Sequence, residues 1–208
     1  MIKQETVYEM RLVSALEKVF LDERPVYRPE CMKLTALKGE TVSFQAACTC
    51  TSFMKNRVKV RIESPISDRI HVRKVENVPA GRVCGPIVDD NYLKTESGLY
   101  PDLLRELVDG EVDIFPQKWR SIWIDIEVTE DVKAGLYPVT VILEKDGETL
   151  ARAATEVTIY DAVLPKQKMM HTEWFYLDCL ADYYHVPVFS EEHWEIITNY
   201  LKEYVKRG

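Results

Sequence analysis

The stretch ETVSFQAACTC, Glu40–Cys50, decides the fold. Val42, Phe44, Ala46, Cys48 and Cys50 alternate there with Thr41, Ser43, Gln45 and Thr49. A period of two sustained that long describes a β-strand with one face buried and the other wet. The pattern recurs on both sides. Arg57–Glu63 puts Val58, Val60 and Ile62 inside, and Ser64–Pro65 closes it. Trp119–Val128 aligns Ile122, Ile124, Ile126 and Val128 on one face, with Trp119 and Trp123 on the other. Leu136–Glu144 aligns Tyr137, Val139, Val141 and Leu143. Asp146–Gly147 is a two-residue hairpin signal, and Thr149–Tyr160 returns with Ala151, Ala153, Val157 and Ile159. Thr6–Leu12, Met32–Leu37 before the turn at Lys38–Gly39, and a weaker Arg69–Val78 complete the set. Seven or eight short strands divided by turn residues predict an antiparallel β-sandwich. Gly85–Pro116 lacks a sustained period. It reads as a long connection with a helical turn at Leu103–Val108, of the kind that is functional or packs on a neighbour.

The chain ends differently. After a linker at Pro165–Lys168, Met169–Tyr176 reads as a strand, followed by a loop. Ser190 is a helix N-cap, Glu191 and Glu192 suit the first turn, and Trp194, Ile197 and Leu201 with Tyr204 or Val205 form an apolar stripe. Lys202, Lys206 and Arg207 fill the last turn, and Gly208 stands at the C′ position. A strand with a crossover helix needs a parallel neighbour. The organisation expected is a sandwich domain over residues 1–165, then over residues 166–208 the linker, first strand and first helix of a truncated α/β domain.

Hydrophobic content of 46% and charged content of 29% fit a globular protein with a sizeable core. A net charge of −7 without a basic cluster excludes a nucleic-acid partner. MIKQETVYEM has no apolar leader region, and no stretch is long enough to cross a membrane, so the chain is expected to be cytoplasmic. Cys31, Cys48, Cys50, Cys84 and Cys179 form no disulfide framework. His171, His185 and His193, with Asp178 and Cys179, match no zinc spacing, so no metal is expected.

Two groups can carry chemistry. Trp119 and Trp123 either stack on a sugar or are buried, and burial against a loop or neighbour is the favoured reading. The second group is His171, Glu173, Trp174, Asp178, Asp182, Tyr183, Tyr184 and His185. The C-terminal end of a parallel strand is where βα units build active sites. Trp174, Tyr183 and Tyr184 can form stacking walls, and Asp178 and Asp182 can hold hydroxyls. The competing reading makes the aromatics core and the acids solvated or capping. Asp22–Glu23, Asp89–Asp90, Glu130–Asp131 and Glu191–Glu192 read as turns, loops or a helix start, and none takes an acid/base role. No phosphate loop, dinucleotide fingerprint or nucleophile elbow is present.

Four segments carry a family likeness: KGETVSFQ at Lys38–Gln45, SGLYPDLL at Ser97–Leu104, SIWIDIEVTEDVKAGLYPVTV at Ser121–Val141, and HTEWFYLDCLADYY at His171–Tyr184. Together they resemble the N-terminal part of glycoside hydrolase family 123 and its bacterial relatives, and the last segment, with Glu192–Gly208 after it, is the most specific. The resemblance implies a β-sandwich followed by a (β/α)8 barrel, release of N-acetylgalactosamine from glycoconjugates, and retention assisted by the substrate's own 2-acetamido group. It also implies an Asp that orients that group, an adjacent Glu acid/base, and no cofactor or metal. That Asp–Glu pair belongs to a later barrel strand, so the catalytic residues are expected beyond Gly208 and this chain is expected to be inactive alone. What the resemblance assigns here is a substrate wall of His171, Trp174 and Asp178. The implied partners are a carbohydrate and the missing barrel domain. The alternatives are a non-catalytic sandwich that binds carbohydrate or protein through Trp119 and Trp123, and a structural domain whose last strand and helix dock on another chain.

Overall fold

Alternating sequences become strands only when each finds a neighbour for its backbone, and ten strands do so among the described residues. The computed structural model describes residues 6–81, 92–166, 168–169, 172 and 174–207. It divides into two compact units, Met1–Leu164 and Pro165–Gly208. The first holds β1 (Tyr8–Ser14), β2 (Lys33–Lys38), β3 (Thr41–Cys50), β4 (Asn56–Glu63), β5 (Ile70–Ala80), β6 (Gly98–Glu106), β7 (Glu111–Ile114), β8 (Arg120–Glu127), β9 (Gly135–Lys145) and β10 (Glu148–Val163). They form two five-stranded sheets, ordered β1-β3-β8-β5-β6 and β2-β10-β9-β4-β7. The paired strands run antiparallel except β10 with β2, which is parallel.

The core lies where the alternation puts it. Phe44, Ala46 and Cys48 of β3, Ile122, Ile124 and Ile126 of β8, Val139, Val141 and Leu143 of β9, and Val157 and Ile159 of β10 form one buried cluster. Register builds it, with Phe44 opposite Ile124 and Ala46 opposite Ile122. Each large side chain removed from water there contributes about 1.5–3 kcal/mol. The hairpin between β9 and β10 turns at Asp146 (φ 52°) and Gly147 (φ 84°), both left-handed as a tight primed turn requires.

Among the described residues ten strands stand where seven or eight were expected, β2 pairs with β10 in parallel, and β6 and β7 lie in the stretch read as a connection; two local readings are also reversed. Leu103–Val108 is no helical turn, because β6 runs through it as the outer strand of its sheet. Of its residues only Pro101 is buried. An edge strand with two wet faces has no reason to alternate. Pro101 and the bulge opposite Glu76 and Asn77 blunt that edge against pairing with another chain. Gly85 and Asp89–Asp90 lie outside the described residues. The second departure is the outer face of β3, which is not wet. Gln45 is only 3% exposed, and Ala47 packs with Val13, Val19 and Trp119 in a second apolar cluster. The connection after β1 makes this a second interior, and Gln45 fastens it. Gln45 Nε2 donates to the carbonyls of Ser14 at 3.0 Å and Glu17 at 2.7 Å, while its Oε1 accepts from the Ser121 hydroxyl at 2.6 Å.

The second unit holds α1 (Leu177–Tyr184) and α2 (Glu191–Arg207). None of the described residues of Met169–Tyr176 lies in a strand. The reason is pairing: an extended segment is a strand only beside another, and no strand occurs among this unit's described residues. Exposure nevertheless alternates along the segment's end: Phe175 and Leu177 are half-buried whereas Trp174, Tyr176 and Asp178 are exposed. The expected loop contains α1, which ends at His185 in the left-handed region (φ 57°). The Val186 and His185 N–H groups bond back to the Ala181 and Asp182 carbonyls. Ser190 caps α2, its Oγ accepting from the His193 N–H at 3.2 Å.

Candidate functional site

The residues of the second unit come together around one short segment. Phe175 packs on Tyr200 and Tyr204 of α2, with ring centroids 6.1 and 5.5 Å apart. Two positions on, the Leu177 carbonyl lies 2.8 Å from His193 Nε2. Fixed at these alternate positions, the segment projects Trp174, Tyr176 and Asp178 outward. Trp174 is 86% exposed, a cost that an indole without a ligand or neighbour does not recover. On α1, Tyr183 and Tyr184 meet edge to face at 5.0 Å. The Tyr184 and Tyr200 hydroxyls lie 3.1 Å apart, and that hydrogen bond, with desolvation second, pushes the Tyr200 phenol up to about 12.

Of the expected wall, Trp174 in the extended segment and Asp178 in the first turn of α1 are both exposed; His171, like Glu173, lies outside the described residues. Sequence reasoning missed Tyr176, which lies between them, and Tyr200, which braces the segment from α2. No alternation in residue type marks Tyr176, since Trp174–Leu177 is a continuous run of aromatic and apolar side chains. The surface can offer ring faces to an apolar sugar face and a carboxylate to hydroxyls, but the described residues arrange no pair of carboxylates around a scissile bond.

The apolar stripe of α2 is mostly open. Ile197 is 1% exposed, but Trp194, Leu201, Tyr204 and Val205 are exposed. A hollow of about 400 Å3 runs along Trp194, Glu195, Thr198, Asn199 and Lys202. In the sandwich, another of about 670 Å3 lies between Tyr27, Pro29 and Leu136, with Lys33 and Glu156 as its charged walls. Neither gathers a reactive set.

The sandwich tryptophans supply no ligand platform. Trp119 is 7% exposed, buried against the connection after β1. Trp123 is half-buried, and its Nε1–H donates to Asp125 Oδ1 at 2.7 Å. Of the adjacent acids, Asp22 pairs with Lys118, Glu23 with Lys94 and Asp131 with Arg69 at the surface. Burial pushes the Cys48 thiol up to about 12, which leaves it inert, whereas Cys179 is exposed. Among the described residues no three His, Cys, Asp or Glu side chains gather to hold a metal ion, and no helix is long and apolar enough to cross a membrane.

Comparison with known proteins completes the description. Residues 20–145 match the glycoside hydrolase 123 N-terminal domain, and residues 174–208 match the glycoside hydrolase 123 catalytic domain. The structure is similar to that of a family 123 glycoside hydrolase from Clostridium perfringens studied for glycolipid glycan hydrolysis. The TM-score is 0.66 at 18% identity, covering 96% of this chain and 36% of that enzyme. At that identity the likeness shows the fold, and the chain spans about a third of that enzyme's length. A CARDB domain from Pyrococcus furiosus (6% identity, TM-score 0.37, 75% of this chain and 96% of that one) is too unlike in shape to carry an argument. The same holds for a β-glucosidase from Listeria innocua (10% identity, TM-score 0.35, 76% and 17%). No curated protein matches the sequence.

Proposed function

The chain belongs to glycoside hydrolase family 123, and from that premise we propose that it is the sandwich and opening βα unit of a hydrolase acting on N-acetylhexosaminides, with N-acetylgalactosaminides foremost. Residues 1–165 are then the non-catalytic sandwich domain, and residues 166–208 begin a (β/α)8 barrel. One observation carries the reading. The catalytic-domain match covers residues 174–208 and so takes in the exposed Trp174, Tyr176 and Asp178.

In this reading Trp174 stacks on a sugar ring and Asp178 accepts hydrogen bonds from its hydroxyls, with His171 as the third member of the wall. The reaction is substrate-assisted. The 2-acetamido oxygen attacks the anomeric carbon while an acid protonates the departing glycosidic oxygen. Water then opens the resulting oxazolinium ring, giving up a proton to the same group, now a base, and the anomeric configuration is retained. The carboxylates for those steps belong to later barrel strands. The open stripe of α2 suits this arrangement, since Trp194, Leu201 and Val205 present an apolar face of the kind that a neighbouring βα unit covers.

The test uses the protein translated from the whole reading frame and the 4-nitrophenyl β-glycosides of N-acetylgalactosamine, N-acetylglucosamine and galactose. Release from the acetamido sugars but not from galactose, with inhibition by a thiazoline mimic of the oxazolinium ring, is expected. Cleavage of the plain galactoside at an equal rate would remove the assisted mechanism, and absence of cleavage together with a reading frame that stops at Gly208 would remove the hydrolase.

A further inference from the structure

We propose that His193 is a positioning residue: a neutral imidazole latch that holds the segment bearing Trp174 and Asp178 against α2. The functional weight of the latch rests on the sugar-wall reading above, but its geometry does not. His193 is 0% exposed, and each ring nitrogen meets a backbone group with one possible role. Nδ1 lies 2.8 Å from the Phe189 amide, which can only donate, so Nδ1 is bare. Nε2 lies 2.8 Å from the Leu177 carbonyl, which can only accept, so Nε2 carries the proton. The tautomer is assigned by its partners, and both nitrogens are spent. That also answers the metal question for this residue, because no lone pair is left to ligate.

The two groups it holds stand at separate turns. Leu177 is the first residue of α1, and its carbonyl takes the Nε2 proton. Phe189 sits at φ 59°, a region that bulky residues resist, and the bond from its N–H to His193 helps to offset that strain. His193 therefore ties the first turn of α1 to the turn before α2. With Phe175 on Tyr200 and Tyr204 as the other pin, it sets where Trp174, Tyr176 and Asp178 stand.

Two conservative variants of the full chain separate a latch from mere space-filling. In His193→Asn the side-chain oxygen replaces Nδ1 as acceptor and nothing reaches Leu177. In His193→Gln the amide nitrogen replaces Nε2 as donor and nothing accepts from Phe189. Amide hydrogen exchange, with the sandwich strands as internal control, should split accordingly. His193→Asn should speed exchange of the hydrogen-bonded α1 amides, residues 181–184, by about tenfold and spare Phe189, and His193→Gln should do the reverse. Equal loosening at both ends in both variants, or none in either, overturns the latch. The imidazole 15N shifts of the unaltered chain give a second readout, expected to show a bare Nδ1 and a protonated Nε2; the opposite tautomer or a doubly protonated ring near neutral pH overturns it even if neither variant folds. N-acetylgalactosamine titration, followed at the Trp174 indole N–H, tests the other layer. Weaker binding in His193→Asn than in His193→Gln is expected. If the unaltered chain shows no response to sugar while the exchange data split, the sugar wall fails and the latch stands.

Discussion

Replacing Gln45 with leucine tests whether the outer face of the first sheet is a true second interior. Leucine keeps most of the volume and removes every polar contact. Two bonds from Nε2 to the Ser14 and Glu17 carbonyls disappear, as does the bond that Oε1 accepts from Ser121. At about 1 kcal/mol for each bond, with the Ser121 hydroxyl left buried and without its acceptor, the loss should be about 2–4 kcal/mol. For a unit of this size that lowers Tm by very roughly 4–16 °C. The connection after β1 should loosen with it and open Trp119, whose burial depends on Val13, Val19 and Ala47. Urea unfolding followed by circular dichroism gives the energy. Tryptophan emission gives the location, measured with Trp174 and Trp194 replaced by phenylalanine so that only the sandwich reports. The reasoning requires a lower urea midpoint and a red-shifted native emission together. A change under about 0.5 kcal/mol with unshifted emission refutes it, because a surface glutamine behaves that way.

Three other outcomes follow from the same structure. Gly147→Val forces a β-branched residue to φ 84° in the β9–β10 hairpin and should cost about 1–2 kcal/mol in thermal unfolding, while Asp146→Gly should cost little. The hydrogen bond from Arg24 holds the Glu9 carboxyl below its ordinary 4.5; desolvation opposes this and Arg11 adds to it. A depressed carboxylate stabilises the fold above its unfolded pKa and loses that contribution as pH falls through the folded value, so Glu9→Gln should lower the urea midpoint near neutral pH and leave it unchanged in strong acid. Peptide-resolved alkylation of the native chain in mildly alkaline buffer should modify the exposed Cys179 and spare Cys48; labelling of Cys48 before unfolding would contradict its burial.

The parts of the fold legible in sequence are those in which one face differs from the other. Strands β3, β4, β8 and β9 contrast an apolar side with a polar one, and their registers follow from that contrast. Strand β6 has no such contrast because it lies at an edge, so Leu99 read as loop and Leu103 and Leu104 as a helical turn. Gln45 read as wet because alternation says that two faces differ, and does not say that a connection folds over the second. Of the candidate site, Trp174 and Asp178 stood out by residue type and place, and Tyr176 did not, because it sits in an unbroken aromatic and apolar run. His193 was read only as a metal ligand without a matching spacing; its contacts were illegible, since a buried histidine is recognised by its partners, and Leu177 and Phe189 are backbone partners that any residue could supply.

The claim at the centre of this account is that the exposed Trp174–Asp178 side is a sugar wall of a family 123 catalytic domain. A crystal structure of the protein from the whole reading frame, grown with N-acetylgalactosamine, tests it most directly. The account predicts further βα units beside α2, the sugar ring lying against the Trp174 indole, and Asp178 within hydrogen-bonding distance of its hydroxyls. Trp174 packed into protein with the sugar bound elsewhere would contradict it.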